Sequence, residues 1–251
     1  MDKKLITAFL LVLALTSANI FAISPILAEP SNPDVEQKIF IHYAKGMGRA
    51  KPPKEETGYY KLLGVKWMKY PIHLEVNPNS AEGVLEDNID VVFTVQLAAE
   101  EWDDGAYSGW GGVAPNLING SITLGYINVT KTDRTNGFDG HNVICWGDYP
   151  TEGVIAVTYL LYNRRTKEIL EFDIVLDTDY KWGNATISGN NVMDLQNILT
   201  HELGHGLGLG DLYQTTAIQE TMYGYSDYGE TIKRDLYMGD KTGITKLYGS
   251  G

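Results

Sequence analysis

Residues 201–211, HELGHGLGLGD, constrain the fold and chemistry of this chain more than any other stretch. His201 and His205 are four positions apart. On an α-helix they would therefore share one face, with Cβ atoms about 5–6 Å apart. Two imidazole nitrogens so placed can bind one metal ion at about 2.0–2.1 Å. Glu202 lies on the same side of the helix but one residue round, so it is better placed to hold a metal-bound water than to bind the metal.

Gly208 and Asp211 complete the predicted site. A glycine can adopt the positive φ that ends a helix and turns the chain back, and such a turn would bring Asp211 round as a third ligand. Three protein ligands leave one coordination position open, as catalytic zinc requires. Glu202 would then act as general base and acid in amide hydrolysis. The alternative for Asp211 is a helix-exit residue that caps a turn. The remaining histidines lie outside the motif: His42, His73 and His141.

The motif and the sequence after it resemble a known peptidase family. The pattern H-E-x-x-H-x-x-G-x-x-[H/D], followed by a methionine turn at 220–225, is similar to the metzincin metallopeptidases, and most of all to the microbial matrixin-like branch. Weaker matches follow in the family's order at 153–158, 172–176, 194–200 and 240–249. Most matrixins have histidine where this chain has Asp211, but some metzincin-like peptidases have aspartate. We therefore expect a modest shift in rate or pH optimum and not a loss of function.

The resemblance implies an α+β fold with a small mixed five-stranded sheet, an antiparallel edge strand, an active-site helix, the methionine turn and a C-terminal helix. Zinc would lie at the floor of a cleft between two lobes. Met222 would pack beneath the metal without binding it; the alternative is a core filler. Extended substrate would pair with the edge strand, whose alternative role is that of an ordinary hairpin strand. Its residues are Val154, Ile155, Ala156, Val157 and Thr158.

Apolar periodicity predicts the other elements. The predicted strands are Ile72–Val76, Ile122–Thr130, Asn142–Trp146, Val154–Tyr162 and Ile169–Leu176. A first helix, capped by Ser80, would carry an apolar stripe from Leu85 to Trp102. The motif helix is predicted over 192–207 and a last helix over 238–248.

The N-terminal region divides into two predicted segments. Residues 1–28 combine a basic start, an apolar run and a small-residue exit, which is the pattern of a secretory signal. We expect cleavage after Ala28, with Ala22 as the second choice; an uncleaved membrane anchor is the alternative. Residues 29–57 are rich in Pro, Lys and Glu and predict an extended arm, a short pro-segment or a linker. Residues 58–251 then form a single catalytic domain.

Charge and cysteine content narrow the partners. The net charge is −12, and it becomes −13 if residues 1–28, which carry two lysines and one aspartate, are removed. This argues against nucleic acid and anionic membranes as partners but says little about the substrate. The resemblance implies a polypeptide substrate, and we expect a monomer. Cys145 is the only cysteine, and we expect it to be buried in a strand. The P-R-C-G motif with which matrixin zymogens block zinc is absent.

The sequence thus predicts a secreted zinc-dependent endopeptidase. Two alternatives are a catalytically inactive metal-binding or peptide-binding module on the same fold and a membrane-tethered processing factor. Calcium is common in the family, and its oxygen ligands could come from acidic loop residues, although solvated acids are the equal alternative. The candidates are Asp139–Gly140 and Asp173, Asp177 and Asp179.

Overall fold

The computed structural model describes residues 34–47, 58–107 and 138–249. The predicted signal at 1–28 and the predicted strand at 122–130 lie outside these residues. Across the three described ranges, no helix combines the length and apolar character needed to cross a membrane.

A six-stranded mixed sheet forms the centre of the fold. Its strands, in chain order, are β1 (Val35–Ala44), β2 (Glu75–Val76), β3 (Val143–Gly147), β4 (Val154–Asn163), β5 (Ile169–Asp177) and β8 (Tyr225–Ser226). Their order across the sheet is β2-β3-β5-β4-β1-β8. β2, β3 and β5 are parallel, and β4 runs antiparallel to both of its neighbours. A second, short sheet pairs β6 (Trp182–Gly183) with β7 (Met193–Asp194). The predicted α+β class is confirmed. The described residues contribute six strands to the main sheet, where five were expected.

Four helices accompany the sheet: α1 (Val91–Tyr107), α2 (Ala185–Ser188), α3 (Leu195–Gly206) and α4 (Met238–Tyr248). The predicted start of the first helix near Ser80 is wrong. Asp87 and Asn88 have φ of 64° and 51°, which interrupts any helix through them. The helix begins after Asp90, whose carboxylate accepts a hydrogen bond from the Phe93 backbone at 3.0 Å.

The position of helix α3 in the core is determined by its N-terminal cap and by close contacts with α1 and the methionine turn. Asp194 accepts a hydrogen bond from the Asn197 backbone at 2.9 Å and caps the helix. Trp102 of α1 donates its indole N–H to the Thr200 carbonyl at 2.8 Å. A Cβ on Gly204 would collide with the Met222 sulfur and the Trp102 ring. The small residue at this position therefore lets α1 and the methionine turn press directly against α3.

Three expectations about pairing and burial are corrected. Residues 35–44, expected to be part of an extended arm, form β1 in the main sheet, and nine of them pair with β4. The predicted edge strand 154–158 is consequently paired on both sides, with β5 and with β1. The physical reason is that an unpaired strand edge is a template for another strand, and the chain supplies one itself. Cys145 is half-buried and not fully buried.

Candidate metal centre

The chain reversal after α3 brings Asp211 opposite the two histidines of the helix. The Nε2 atoms of His201 and His205 are each 3.3 Å from Asp211 Oδ1. All three side chains are buried. The reversal depends on Gly208, which has a φ of +99°, and a Cβ at this position would collide with the Val65 carbonyl.

Backbone carbonyls orient both imidazoles. His201 Nδ1 lies 2.7 Å from the Thr221 carbonyl oxygen, and His205 Nδ1 lies 2.9 Å from that of Leu209. A carbonyl can only accept, so Nδ1 carries the proton in each ring and Nε2 keeps its lone pair. Both lone pairs therefore belong to the nitrogens that face Asp211. Burial acts to raise the pKa of Asp211, but the adjacent imidazoles, chiefly that of His205, hold it well below its usual range.

The three atoms fit a zinc ion. Among the described residues, His201 Nε2 and Asp211 Oδ1 are buried without a hydrogen-bond partner, although buried polar atoms are nearly always paired. Ligand atoms about 2.0–2.1 Å from a tetrahedral zinc ion lie about 3.3 Å from one another. This is the separation between each imidazole nitrogen and the carboxylate oxygen. Two neutral imidazoles and one carboxylate are also a donor set found at catalytic zinc.

Glu202 lies beside this cluster with both carboxylate oxygens engaged. Its side chain is fully buried. Oε2 accepts a hydrogen bond from the Thr158 hydroxyl at 2.5 Å, and Oε1 accepts one from His42 Nδ1 at 3.0 Å. Burial raises the pKa of Glu202. The carboxylate is therefore held at a fixed position next to the metal-binding atoms without being one of them.

The methionine turn is braced by a buried carboxylate. Asp240 accepts hydrogen bonds from the Thr221 backbone at 2.6 Å and from the Met222 backbone at 3.1 Å. It also accepts one from the Tyr237 backbone at the start of α4, at 3.0 Å. Asp240 thus both braces the turn and caps the last helix. Met222 is buried, and its sulfur lies against Gly204, on the helix that carries both histidines.

Several residues of the site were not identified from the sequence. The Tyr213 phenol interacts with the Asp211 carboxylate, and burial, followed by the charge of that carboxylate, raises the pKa of the phenol. His42 lies outside the motif and was set aside, yet its ring centroid is 4.1 Å from that of His201. The Phe40 ring stacks on His205 at 4.2 Å between centroids. No local pattern links His42 to Glu202, which is 160 positions away.

The calcium candidates do not form one cluster. Asp177 and Asp179 approach Asp148, which was not among the candidates. Asp173 instead accepts a hydrogen bond from the Val143 backbone at 3.0 Å. The backbone amides of Asp139 and Gly140 donate to a buried glutamate, Glu171. Calcium binding stays a prediction, because acidic loop residues are common without an ion.

The fold and the buried donor set together define a metallopeptidase domain of the metzincin type. Residues 66–249 match the family model described as matrixin. The chain therefore belongs to the matrixin family, whose members are zinc-dependent metallopeptidases. A segment of 75 residues is 40% identical to the metalloendoproteinase 1-MMP of Arabidopsis thaliana. That segment is 30% of this chain and covers only 18% of the plant protein.

Proposed function

We propose that the protein is a zinc-dependent endopeptidase in which His201, His205 and Asp211 hold the metal and Glu202 is the general base. One observation carries the proposal: buried imidazole and carboxylate atoms without partners face one another at the separation that zinc ligands have. A second carboxylate, Glu202, lies directly beside them.

The roles of the residues follow from their contacts. When bound, zinc would polarise the scissile carbonyl and acidify the attacking water. Glu202 Oε1 would accept the proton of that water, because the Thr158 hydroxyl keeps Oε2 in place. Burial favours the protonated carboxyl, so Glu202 can retain the proton until it passes to the leaving amine. Tyr213 would orient the Asp211 carboxylate, as partners of metal ligands commonly do.

We further propose that the substrate is a polypeptide in extended conformation that pairs with β4 at 154–158 in the place that β1 occupies in the structure. The acidic chain favours neither nucleic acid nor anionic membranes as partners, and we propose a monomer. The basic start and apolar run of residues 1–28 support secretion, with cleavage near Ala28 or Ala22.

The test is hydrolysis of denatured casein by the zinc-loaded full chain, compared with Glu202→Gln. We expect the substitution to lower the rate by about 10²–10⁴, the usual contribution of a general base, while zinc content stays at the wild-type level. Glu171→Gln is the matched control, because Glu171 is also a buried glutamate but contacts only the backbone near residue 140. Equal rates for Glu202→Gln and wild type would refute the mechanism. Zinc binding without hydrolysis, both in wild type and in a variant whose β1 is released from β4, would favour the inactive binding module.

A further inference from the structure

Strand β1 occupies the edge of the sheet to which substrate is proposed to bind. It runs antiparallel to β4 across 154–158, with a register shift between His42 and Tyr43 that leaves Ile155 without a partner in β1. On its other side, Tyr43 and Ala44 pair in parallel with Tyr225 and Ser226 of β8. The hydrogen-bonding groups of the β4 edge are therefore used by the chain itself. An extended substrate and β1 cannot pair with this edge at the same time.

Two side chains of β1, Phe40 and His42, contact the proposed metal ligands and the proposed base. Because side chains alternate along a strand, Phe40 and His42 point to the same side. Phe40 stacks on His205 with an angle of 13° between the rings, and His42 meets His201 edge-on. His42 is only 1% exposed. The imidazole thus fills the space next to the metal-binding atoms.

A series of hydrogen bonds holds His42 on the general base. The buried Lys233 ammonium donates to Ser226 Oγ at 2.9 Å. Ser226 Oγ lies 3.0 Å from His42 Nε2, and His42 Nδ1 lies 3.0 Å from Glu202 Oε1. An ammonium only donates and a carboxylate only accepts. When Glu202 is ionised, His42 Nδ1 donates to it, and Nε2 is left to accept from the Ser226 hydroxyl, which also lies 3.4 Å from Glu230 Oε1.

Most side chains of β1 are not buried. Within β1, only Val35 and His42 are buried, whereas eight of the ten residues of β4 are buried. The match to the matrixin family model begins at residue 66, after the end of β1. The strand therefore lies outside the residues matched to the family, and its most buried side chain, His42, hydrogen-bonds the proposed catalytic base.

We propose that residues 35–44 are an intramolecular substrate mimic that keeps the enzyme inactive, with His42 held against Glu202. The proposal rests on the proposed peptidase function. Hydrolysis requires β1 to leave the β4 edge, because the strand competes with substrate for its backbone groups and for Glu202 Oε1. The inhibition needs no cysteine, in keeping with the absence of the P-R-C-G motif.

The test compares His42→Ala with wild type in the full chain, with a quenched fluorescent peptide as substrate. Removing the imidazole leaves Glu202 Oε1 and Ser226 without their partner, so we expect β1 to open about ten- to a hundredfold more often and hydrolysis to rise by the same factor. Hydrogen exchange of the amides in 36–44 should accelerate in parallel. His42→Asn, which keeps a donor near the Nδ1 position, should fall between the two. Ile39→Ala is the control, because Ile39 is on the opposite face and 41% exposed.

The outcomes separate the two proposals. Hydrolysis that Glu202→Gln abolishes, but that is equally fast in wild type and His42→Ala, would uphold the peptidase and overturn the inhibitory role. Faster exchange of 36–44 without hydrolysis in any variant would overturn both. If His42→Ala does not fold, Phe40→Ala provides a second route, because it removes the ring stacked on His205 and should raise both readouts less strongly.

Discussion

The two halves of the active site differ in how their buried polar atoms are satisfied. In the metal-binding half, His201 Nε2 and Asp211 Oδ1 have no hydrogen-bond partner among the described residues. In the other half, both oxygens of Glu202 accept hydrogen bonds. An unpaired buried polar group costs about 1–3 kcal/mol. The metal-binding half is therefore incomplete until it binds an ion, whereas the base is complete with β1 in place. Metal binding and the start of catalysis should be separable events.

The largest expected effect is on the metal-binding half alone. Asp211→Ala removes a proposed ligand, so zinc affinity should fall by more than the roughly 10–100-fold that loss of an outer-shell partner causes. Competition with a chromophoric chelator measures this. Hydrogen exchange of 36–44 should stay close to wild type, because β1 contacts Glu202 and the rings but is hydrogen-bonded to none of the ligands. Unchanged zinc affinity would mean that Asp211 only caps the turn.

A second prediction concerns the scaffold that both halves share. Gly204→Ala should gain about 1 kcal/mol of helix propensity. The new Cβ also collides with the Met222 sulfur and the Trp102 ring. This overpacking should cost about 1–3 kcal/mol of folding free energy, which is more than the gain in helix propensity. Urea denaturation should show net destabilisation, with lower zinc affinity and faster exchange of 36–44 together. Gly147→Ala is the control, since a Cβ there meets only one side-chain atom at ordinary contact distance, 3.4 Å. A stabilised Gly204→Ala would show that the helix can shift freely.

The methionine turn should make stability depend on pH outside the metal site. Burial, and then the adjacent Asp240 carboxylate, raise the pKa of Glu220 from 4.5 to about 7. The folded chain thus binds more protons than the unfolded chain between these values. This contribution to stability is present below about pH 4.5 and is lost as pH rises through 7. The wild-type free energy of unfolding should therefore fall between pH 5 and pH 8. Because solvent partly screens Glu220, we expect this fall to be smaller by about 1–2 kcal/mol in Glu220→Gln. An unaltered slope would place the titration elsewhere.

The smallest expected effect is a change in zinc affinity that leaves the Glu202 half of the site unaltered. Tyr213→Phe removes the phenol oxygen that interacts with Asp211 but leaves the carboxylate in place. Zinc affinity should fall by about tenfold, at the lower end for such partners. Zinc titration of the two proteins measures the change. Hydrogen exchange of the amides in 36–44 should be the same in both proteins. A loss as large as that of Asp211→Ala would mean that Tyr213 determines the position of the carboxylate and does not merely refine it.

The same contrast explains what could be predicted from the sequence. The metal-binding half is local, since His201, His205 and Asp211 fall within eleven residues whose helical spacing and Gly208 turn can be reasoned directly. The last helix was predicted with its correct bounds, 238–248. The first was not, because positive φ at Asp87 and Asn88 breaks a pattern that apolar periodicity alone continues.

The base half could not be predicted because it depends on distant pairing. His42 reaches Glu202 only through the register that places it opposite Ala156 in β4. A shift of one residue would turn His42 to the other face of the sheet, and nothing local determines that register. The proline- and lysine-rich composition of 29–57 also obscured the alternating stretch within it. The five-stranded sheet expected from the resemblance likewise has no place for this strand.

Anomalous diffraction at the zinc edge, from crystals of the zinc-loaded wild-type chain, tests the central claim most directly. The account predicts one strong peak bounded by His201 Nε2, His205 Nε2 and Asp211 Oδ1, with β1 still paired to β4 and the His42 imidazole still on Glu202. A peak bound by His42 in place of Asp211, or a zinc ion that displaces β1 on binding, would contradict it.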